Sequence, residues 1–323
     1  MRFLITGGGG FIGGRLAQYL IAEGNQVNLG SRKAFAAPPP WLPRSGVCLT
    51  QWGSRESLVE ACHQVDVVIH AAGMNSRDCA ADPNAAIEFN GKATARLLEA
   101  AESSGVQRFL YLSTAHVYAN PLRGSISEST PTHNPHPYAI SNLAGERAVL
   151  SCCTSSQMQG VIVRLSNVFG APAYKDVDCW MLLANDLCRQ SVEHGVMRLQ
   201  SSVHQRRDFV PMTDLCNVLS VLACYPDKKI NAQVFNVCSG KSKSIIDMAR
   251  LIQLRCQLLL GFRPEIELPS GVQSTEEVSV DFEFQIEKLS DLGVSIDVDC
   301  IPEIDDLLVF CTENFSRNLS NDQ

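Results

Sequence analysis

Three glycines near the start of the chain have a spacing that suggests a binding chemistry. Gly7, Gly10 and Gly13 lie between a short apolar stretch and a segment with helical periodicity. Glycine at the first position permits a tight turn, at the second it lets the backbone approach a pyrophosphate, and at the third it lets a helix pack closely. Free N–H groups and the helix dipole favour anions there. We therefore predict a dinucleotide site that includes Phe11 and Ile12, with a purely structural glycine turn as the alternative.

The end of the second predicted strand bears on which dinucleotide would bind. An acidic residue there would accept hydrogen bonds from the ribose 2′-hydroxyl of NAD. This chain instead has Ser31, Arg32 and Lys33. The pattern leaves room for a 2′-phosphate and offers cations to pair with it. It favours NADP as the cofactor, with NAD still possible, and the alternative is a solvated basic turn.

Strands alternate with helices along the first half of the chain, and this alternation predicts βαβ units and a parallel sheet. Right-handed crossovers would then place any ligand along one edge of that sheet. The predicted strands are 2–6, 26–29, 47–50, 66–70, 108–113 and 161–165, and the predicted helices are 11–23, 54–64, 85–104 and 138–153.

The alternation of predicted strands and helices is less regular after about residue 168. Helices are predicted at 178–193, 213–224, 244–257 and 301–314, and strands at 197–199, 234–237 and 265–268. We therefore predict an α/β fold, a Rossmann-type doubly wound parallel sheet with a smaller interleaved α/β substrate lobe. The dinucleotide domain would comprise residues 1–168, completed by about 208–240, and the lobe 169–207 and 241–323. Residues 34–44, with three successive prolines, read as an exposed loop.

Composition narrows the possible partners. The chain has 323 residues, 45% of them hydrophobic, and a net charge of −7, which argues against electrostatic binding of nucleic acid. Its 13 cysteines are scattered and lack metal-site spacing, so we predict small buried hydrophobes and no metal. No apolar run is long enough for a membrane span, and the start of the chain lacks the layout of a signal peptide. A cytoplasmic location is the default prediction.

Further segments, in chain order, give a resemblance that covers nearly the whole chain. They are DVVIHAAG at 66–73, EFNG around Asn90, STAHVY at 113–118, PYAISN at 137–142, RLSNVFG at 164–170 and RDFVPMTD at 207–214. With the glycine loop, these motifs resemble the extended short-chain dehydrogenase/reductase family, in its NAD(P)-dependent sugar-nucleotide epimerase, dehydratase and reductase branch.

The resemblance implies a mechanism and a set of contacts. Tyr138 would exchange a proton with a sugar hydroxyl or ketone, Thr114 would hydrogen-bond the same oxygen, and the nicotinamide would carry the hydride. Packing alone is the alternative for Tyr138, and a bond to the local backbone is the alternative for Thr114. The other implied cofactor contacts are Ala71, Ala72, Gly73, Asn90 and Asn142, and the implied substrate contacts are Asn75, His116, Asn167 and Arg207. An inter-lobe salt bridge is the alternative for Arg207.

One departure from the family pattern concerns Asn142, where the family carries the lysine of Tyr-x-x-x-Lys. Asparagine can bind ribose hydroxyls, but it has no charge to lower the pKa of Tyr138. A unit charge about 5 Å away at an effective dielectric near 20 contributes roughly 3 kcal/mol, or about two pKa units. Ketone reduction should suffer least, because a neutral tyrosine already donates a proton.

Two more departures concern reaction type and the adenine site. The dehydratase branch has an acidic pair after its threonine, whereas Ala115 and His116 follow here, so 4,6-dehydration is disfavoured. His116 becomes a candidate proton donor or substrate contact, since imidazole titrates near neutral pH; a histidine bonded to backbone is the alternative. The segment at 52–54, which begins with Trp52, stands where the family usually has an aspartate that contacts adenine.

The sequence leaves three functions open. The favoured one is ketoreduction or epimerisation of a nucleotide-linked sugar; the others are reduction of a non-sugar ketone and a catalytically weakened NAD(P)-binding protein. The family pattern also predicts a homodimer through a four-helix bundle, formed by helices 85–104 and 138–153. Its apolar face could use Leu97, Leu98, Ala144 and Val149, although these residues could equally belong to the core.

Overall fold

The computed structural model describes residues 1–33, 41–42, 46–200, 202–268 and 281–316. The loop predicted at 34–44 lies outside the described residues, apart from 41–42. The strands are β1 Arg2–Thr6, β2 Gln26–Ser31, β3 Val47–Leu49, β4 Val67–His70, β5 Arg108–Thr114, β6 Gly124–Ile126, β7 Gln159–Leu165, β8 Asn167–Phe169, β9 Val196–Arg198, β10 Arg206–Pro211, β11 Gln233–Val237, β12 Ser242–Ser244, β13 Glu265–Glu267 and β14 Phe282–Phe284.

The α-helices are α1 Phe11–Ala22, α2 Arg55–Ala61, α3 Ser76–Ala81, α4 Pro83–Ala86, α5 Thr94–Ser103, α6 Pro137–Ser155, α7 Leu183–His194, α8 Met212–Cys224, α9 Ile245–Leu260, α10 Glu287–Ser290 and α11 Ile301–Phe315. A π-helical segment, Ile87–Ala93, joins α4 to α5.

The central sheet confirms the predicted fold class. Its order is β3-β2-β1-β4-β5-β7-β11, and every neighbouring pair is parallel. The chain runs outward from β1 in one direction and from β4 in the other, so the crossovers diverge between these two strands. Ligands of open α/β sheets bind at the carboxyl ends of the strands where such a divergence occurs.

Helices cover both faces of this sheet because its strands are apolar on both sides. One face packs against α1 and α8, where Leu16 and Leu219 are fully buried with Ile5 of β1. The other packs against α2, α5 and α6, where Leu58 and Leu97 are buried with their neighbours. A parallel sheet needs both faces covered, and its strands therefore carry the near-continuous hydrophobic runs seen in the sequence.

The helix predicted at 85–104 is not one regular α-helix. It consists of α4, the π-helical segment and α5. Within the π-helical segment the Asn90 carbonyl accepts a hydrogen bond from the Thr94 hydroxyl at 2.8 Å, and an added Cβ at Gly91 would lie 3.0 Å from Ala144. Wide turns of this kind are frequent at functional sites, and apolar periodicity does not reveal them.

Helices α5 and α6 do not present the predicted dimer face in the monomer. Leu97, Leu98 and Val149 are at most 2% exposed and pack into the core beneath the sheet. Ala144 is half-buried and faces Gly91. The alternative reading of these residues as core is therefore correct for three of the four.

A second apolar cluster lies away from the sheet. It joins α7, α9 and α11 through buried residues such as Leu187, Ile252 and Leu308. Short strands form three further small sheets: β10 pairs with β8 and β12, β9 with β13, and β6 with β14. Five of these strands, β6, β8, β10, β12 and β14, are absent from the sequence prediction; all but the six-residue β10 have three residues, and runs that short carry little periodicity. The division of the chain into two domains stays a prediction.

Helix α11 contacts the start of α8 and the loop after β8 through one buried carboxylate. Glu303 is 3% exposed, and its Oε2 accepts a hydrogen bond at 3.0 Å from the backbone N–H of Thr213, at the start of α8. Gly170 adopts φ +146°, and a Cβ there would come within 2.0 Å of Glu303 Oε1. The loop after β8 can thus hold only glycine at this contact.

The described residues include every cysteine of the chain. All 13 are free thiols, and ten are buried. In the described ranges no group of His, Cys, Asp or Glu side chains has an arrangement that could hold a metal ion. Within the same ranges, no helix combines the length and hydropathy needed to cross a membrane.

Candidate active site

The glycine loop after β1 has the geometry that the sequence predicts. Gly7 adopts φ +70°, and an added Cβ would lie 2.8 Å from the backbone nitrogen of Ala72. A Cβ at Gly13 would lie 2.4 Å from the Gly7 carbonyl oxygen, which also accepts a hydrogen bond from Gly10 N–H at 2.8 Å. The loop therefore folds tightly onto the start of α1, as a site for pyrophosphate requires.

A groove of about 430 Å³ extends from this loop across the ends of the strands. It is lined by Gly7, Gly9, Gly10, Gly30, Ser31, Arg32, Lys33, Thr50, Trp52, Ala71, Ala72, Gly73 and Phe89. Seven of these were predicted cofactor contacts. Gly13, Phe11 and Ile12 do not line the groove; they begin α1, where the two larger side chains pack against the core. The glycine clearances and this open groove fit a dinucleotide.

A buried histidine, His70, links β1, β4 and α5 beneath the groove by hydrogen bonds. His70 Nδ1 lies 2.6 Å from the Thr6 hydroxyl and its Nε2 lies 3.0 Å from the Thr94 hydroxyl. The Thr6 hydroxyl also accepts a hydrogen bond from Ala72 N–H at 3.4 Å. Burial lowers the pKa of His70 to about 3, so the ring is neutral at physiological pH.

Asn90, a predicted cofactor contact, is hydrogen-bonded to residues on both sides of it beneath the groove. Its Oδ1 accepts a hydrogen bond from Met74 N–H at 2.8 Å, and its Nδ2 donates to the Ser141 hydroxyl at 3.0 Å. The residue is 3% exposed. Asn90 thereby joins the loop after β4 to α6 and positions both beside the groove.

Thr114 and Tyr138 lie near each other, and the Thr114 hydroxyl accepts a hydrogen bond from His116 N–H at 3.1 Å, which is the predicted alternative of a bond to the local backbone. Thr114 ends β5, and Tyr138 is in the first turn of α6, where the His136 ring caps the helix by accepting from Tyr138 N–H at 3.1 Å. Burial raises the pKa of Tyr138; a hydrogen bond from the Thr114 side chain opposes this shift, and the nearby Cys79 adds to it. The phenol is therefore a neutral proton donor at physiological pH.

Both ends of the Asn142 carboxamide are hydrogen-bonded within the protein. Its Nδ2 donates to the backbone carbonyl of Tyr138 at 2.8 Å, and its Oδ1 accepts from the Tyr111 hydroxyl at 3.4 Å. The side chain is 5% exposed. Asn142 is thus held within its helix, and no cation contributes to the pKa shift of Tyr138.

A buried ion pair stands behind the Thr114 and Tyr138 side chains. Glu146 of α6 accepts two hydrogen bonds from Arg164 of β7, at 2.9 and 2.6 Å, and a third at 2.5 Å from the hydroxyl of Ser113. Because Ser113 adjoins Thr114, this network holds β5 against α6. The sequence prediction did not include it, since hydropathy patterns do not show which buried charges face one another.

Arg207 carries a charged side chain that has no partner among the described residues. Its guanidinium is half-buried and forms no hydrogen bond or ion pair with the described part of the chain. The predicted alternative, a salt bridge with a nearby aspartate, is not formed. Asp208 instead accepts from the backbone and hydroxyl of Ser239 at 3.0 and 2.8 Å, and Asp214 accepts from the backbone of Asp297 at 2.7 Å. A half-buried cation without a partner favours an anionic ligand.

The other predicted substrate contacts divide into two groups. Asn167 and Arg207 line one cavity of about 70 Å³ beside β8, although Asn167 Nδ2 also donates to the Asp208 carbonyl at 2.9 Å. Asn75 is exposed and caps α3, where its Oδ1 accepts from Asp78 N–H at 2.9 Å. The structure therefore brings Asn167 to Arg207 and gives Asn75 a local role.

His116 lies on the Arg207 side of the cleft. Its ring is exposed and makes no hydrogen bond to the described residues, so the alternative of a ring bonded to backbone is not seen. The cleft walls displace bulk water from the ring, and this displacement, followed by the positive charges of Arg207 and His136, lowers its pKa. The imidazole is therefore mostly neutral near pH 7, free to accept a proton or a hydrogen bond.

The sheet order, glycine loop and Thr114–Tyr138 pair are those of an extended short-chain dehydrogenase/reductase. Within that class the chain belongs to the family described as NAD dependent epimerase/dehydratase, whose model matches residues 3–238. This confirms the resemblance stated from the sequence. The chain is thus a member of the sugar-nucleotide epimerase, dehydratase and reductase superfamily.

Similar proteins span several reactions. A mouse dTDP-D-glucose 4,6-dehydratase is 29% identical over 273 residues, 78% of this chain and 72% of the relative. The dTDP-6-deoxy-L-talose 4-dehydrogenase (NAD(P)(+)) of Kitasatospora kifunensis is 30% identical over 261 residues, 78% of each chain. The structure of MoeE5 in complex with UDP-glucose and NAD aligns with a TM-score of 0.79 at 22% identity, covering 98% of this chain and 100% of MoeE5.

Proposed function

We propose that this protein is an NADP-dependent enzyme that reduces or epimerises a nucleotide-linked sugar. The observation that carries the proposal is the neighbouring Thr114 and Tyr138 side chains, set at the strand ends beside the dinucleotide groove and on the same cleft as the unpaired Arg207. A bound nicotinamide would supply or accept the hydride. The protein's own residues would supply the proton and hold the sugar.

The proton chemistry favours reduction of a ketone. Tyr138 has a raised pKa and is neutral, so it can protonate a carbonyl oxygen as that oxygen gains charge. Thr114 can stabilise the same oxygen by a second hydrogen bond. Oxidation of an alcohol needs the tyrosinate, and Asn142 offers no cation to stabilise it. Epimerisation includes an oxidation and a reduction, and its oxidation step would be the slower one.

Dehydration fits the site less well, although the mouse relative is named a 4,6-dehydratase. Ala115 and His116 occupy the positions where the dehydratase branch carries an acidic pair. Ala115 has no proton to give. The neutral imidazole of His116 is a weaker acid catalyst at this place than a carboxylic acid, so elimination of water is not the proposed reaction.

The charge of the groove supports NADP. Between Glu23 and Glu56 the chain has no Asp or Glu, so the loop after β2 offers no carboxylate to a ribose 2′-hydroxyl. Arg32 and Lys33 are exposed at that end of the groove. Their positive charges would pair with a 2′-phosphate.

Two adjacent arginines allow a matched test of the substrate class. Arg207 lacks a partner, whereas Arg206 is held by Ser242 and by Asp281 at 3.1 Å. A nucleoside diphosphate should raise the melting temperature of the wild type and of Arg206→Ala, and fail to raise that of Arg207→Ala. Thermal shifts with apolar ketones but with no nucleoside diphosphate would favour a non-sugar substrate instead.

The position of Asn142 supports a second candidate, a protein that binds the dinucleotide with little catalysis. Asn142 bonds to the backbone of its own helix and leaves Tyr138 without a cation. The two candidates differ in turnover of nucleotide keto-sugars with NADPH. Detectable turnover by the wild type supports the enzyme, and tight NADPH binding with zero turnover in both wild type and Asn142→Lys supports the weakened binder.

The homodimer and the cytoplasmic location stay predictions. A dimer through α5 and α6 would have to use their outer surface, where Ile140 is 47% exposed, rather than the buried Leu97 and Val149. Light scattering of wild type and Ile140→Glu would test this: a dimer that becomes monomeric in the variant supports the predicted interface.

A further inference from the structure

An aromatic wall closes one end of the dinucleotide groove. Trp52 meets Phe89 edge to face, with ring centroids 5.3 Å apart and an interplanar angle of 79°. The guanidinium carbon of Arg32 lies 5.6 Å from the centroid of the Phe89 ring. All three residues line the groove beside the loop that follows β2. Flat aromatic and guanidinium surfaces bind bases by stacking, and every base has such a face.

Carboxylates that could recognise the edge of an adenine are absent from this end. No Asp or Glu occurs from residue 24 to residue 55 in the full sequence. Glu88 adjoins Phe89 in the chain, but it does not line the groove, and its carboxylate is paired with Lys92 at 3.1 Å and Arg96 at 3.0 Å. The 6-amino group of adenine, which is a hydrogen-bond donor, therefore meets no free carboxylate in the described groove.

Four backbone groups of residues 50–52 are also committed within the protein. Thr50 N–H donates to the Ser31 carbonyl at 2.8 Å, and Gln51 N–H donates to the Ser57 hydroxyl at 3.1 Å. The Gln51 carbonyl accepts from Ser54 N–H at 2.9 Å, and the Trp52 carbonyl accepts from Arg96 Nε at 2.9 Å. These four main-chain groups are therefore not available to the edge of a base.

The polar side-chain atoms near the wall do not restore selectivity. Trp52 Nε1 and Thr50 Oγ1 are buried without a partner among the described residues, so neither atom reaches the groove surface. Gln51 is exposed, and its carboxamide can present either an acceptor or a donor. It can therefore meet an amino group or a carbonyl at position 6 of a purine with equal ease.

We propose that this groove binds the adenosine end of its dinucleotide by stacking and by phosphate charge, and does not read the group at position 6 of the base. The wall of Trp52, Phe89 and Arg32 would take hypoxanthine as readily as adenine. This inference rests on the proposed function only in requiring that a purine dinucleotide binds in the groove. A site built to hydrogen-bond the amino group would reject the analogue strongly.

The test compares NADPH with nicotinamide hypoxanthine dinucleotide phosphate in its reduced form. Dissociation constants come from titration calorimetry, with no substrate present, so turnover plays no part in the result. We expect the two constants to agree within about threefold, since stacking strength varies little among purines. A preference for NADPH of about tenfold or more would overturn the proposal, because it would reveal a group that reads position 6.

Variants of the wall give an independent result. Trp52→Ala should weaken both dinucleotides by the same factor, about tenfold, and Trp52→Phe should restore most of the binding. Arg32→Ala should weaken both phosphorylated dinucleotides equally. If Trp52→Ala melts like the wild type and leaves both constants unchanged, the wall does not hold the base and the proposal fails.

Failure of the proposed function would look different. If both dinucleotides bind equally but no nucleotide keto-sugar is turned over, the enzymatic proposal fails and the inference about the base stands. If neither dinucleotide binds a folded wild-type protein, both proposals fail together.

Discussion

The two ends of the cleft hold their shape by different means. At the glycine loop, backbone packs on backbone: a Cβ at Gly13 would come within 2.4 Å of the Gly7 carbonyl oxygen. At the Thr114–Tyr138 end, side chains hold one another through hydrogen bonds and the Glu146–Arg164 ion pair. The first end therefore tolerates almost no substitution, whereas the chemistry at the second can be changed one side chain at a time.

Removal of the Tyr138 hydroxyl should have the largest effect. Tyr138→Phe should lower kcat by about 10²- to 10⁴-fold, because a positioned proton donor contributes that much. NADPH binding should stay within about twofold of wild type, because stacking and phosphate contacts remain. Stopped-flow assays and calorimetry would measure the two quantities. Tyr19→Phe, which removes a phenol from α1, is the matched control, and a variant that kept its kcat would contradict the assignment.

A methyl group at Gly13 should disrupt the glycine loop and weaken dinucleotide binding. Gly13→Ala should weaken dinucleotide binding by about 10- to 100-fold, because relief of the clash with Gly7 costs about 1–3 kcal/mol. Gly53→Ala, where a Cβ would meet no atom within 4 Å, is the control and should bind like the wild type. Equal binding by all three proteins would show that the loop accommodates the added methyl group at little cost in free energy.

The buried His70 should make the stability of the loop end depend on pH. Its pKa is about 3 when folded and about 6.5 when unfolded, so below about pH 6.5 the unfolded chain binds the extra proton first. The contribution is complete above that pH and is lost by about 1.4 kcal/mol for each unit between about 6.5 and 3. Urea unfolding at pH 7, 6 and 5 should show a steeper fall for the wild type than for His70→Gln. Parallel slopes would mean that the ring titrates normally.

Replacement of Asn142 by the lysine of the family pattern should give the smallest change. The effect should be confined to the Thr114–Tyr138 end of the cleft. Asn142→Lys should lower the pKa of Tyr138, shift the pH profile of alcohol oxidation to lower pH and raise its rate near pH 8 by about tenfold. Reduction should change less, because the neutral phenol already donates. Steady-state pH profiles in both directions would measure this, and equal acceleration of both directions would argue against a pKa effect.

Much of the sheet could be predicted from the sequence because its strands are apolar on both faces and alternate with amphipathic helices. The predicted strands near Arg2, Val67 and Val161 match the structure within about two residues. The π-helical segment at Asn90 and the strands β6, β8, β10, β12 and β14 were not predicted. Their positions depend on contacts between distant residues rather than on local periodicity.

The same distinction applies to the site. Gly7 and Gly10 were predictable because only glycine satisfies the backbone there. The roles of Asn75 and Asn142 were not, since an amide side chain can bond a ligand or its own helix, and only the folded chain decides. Trp52 and Phe89 were not predicted as parts of the groove, although the absence of the expected adenine-binding aspartate marked this region as unusual.

The position of Glu303 has a consequence for synthesis. The loop at Gly170 and the first turn of α8 are completed by the Glu303 carboxylate, which lies 90 residues beyond Thr213, and the last strand of the sheet, β11, also follows both Gly170 and Thr213 in the chain. The nascent protein should therefore expose an unfinished cleft to chaperones until Glu303 has been synthesised and can form these contacts.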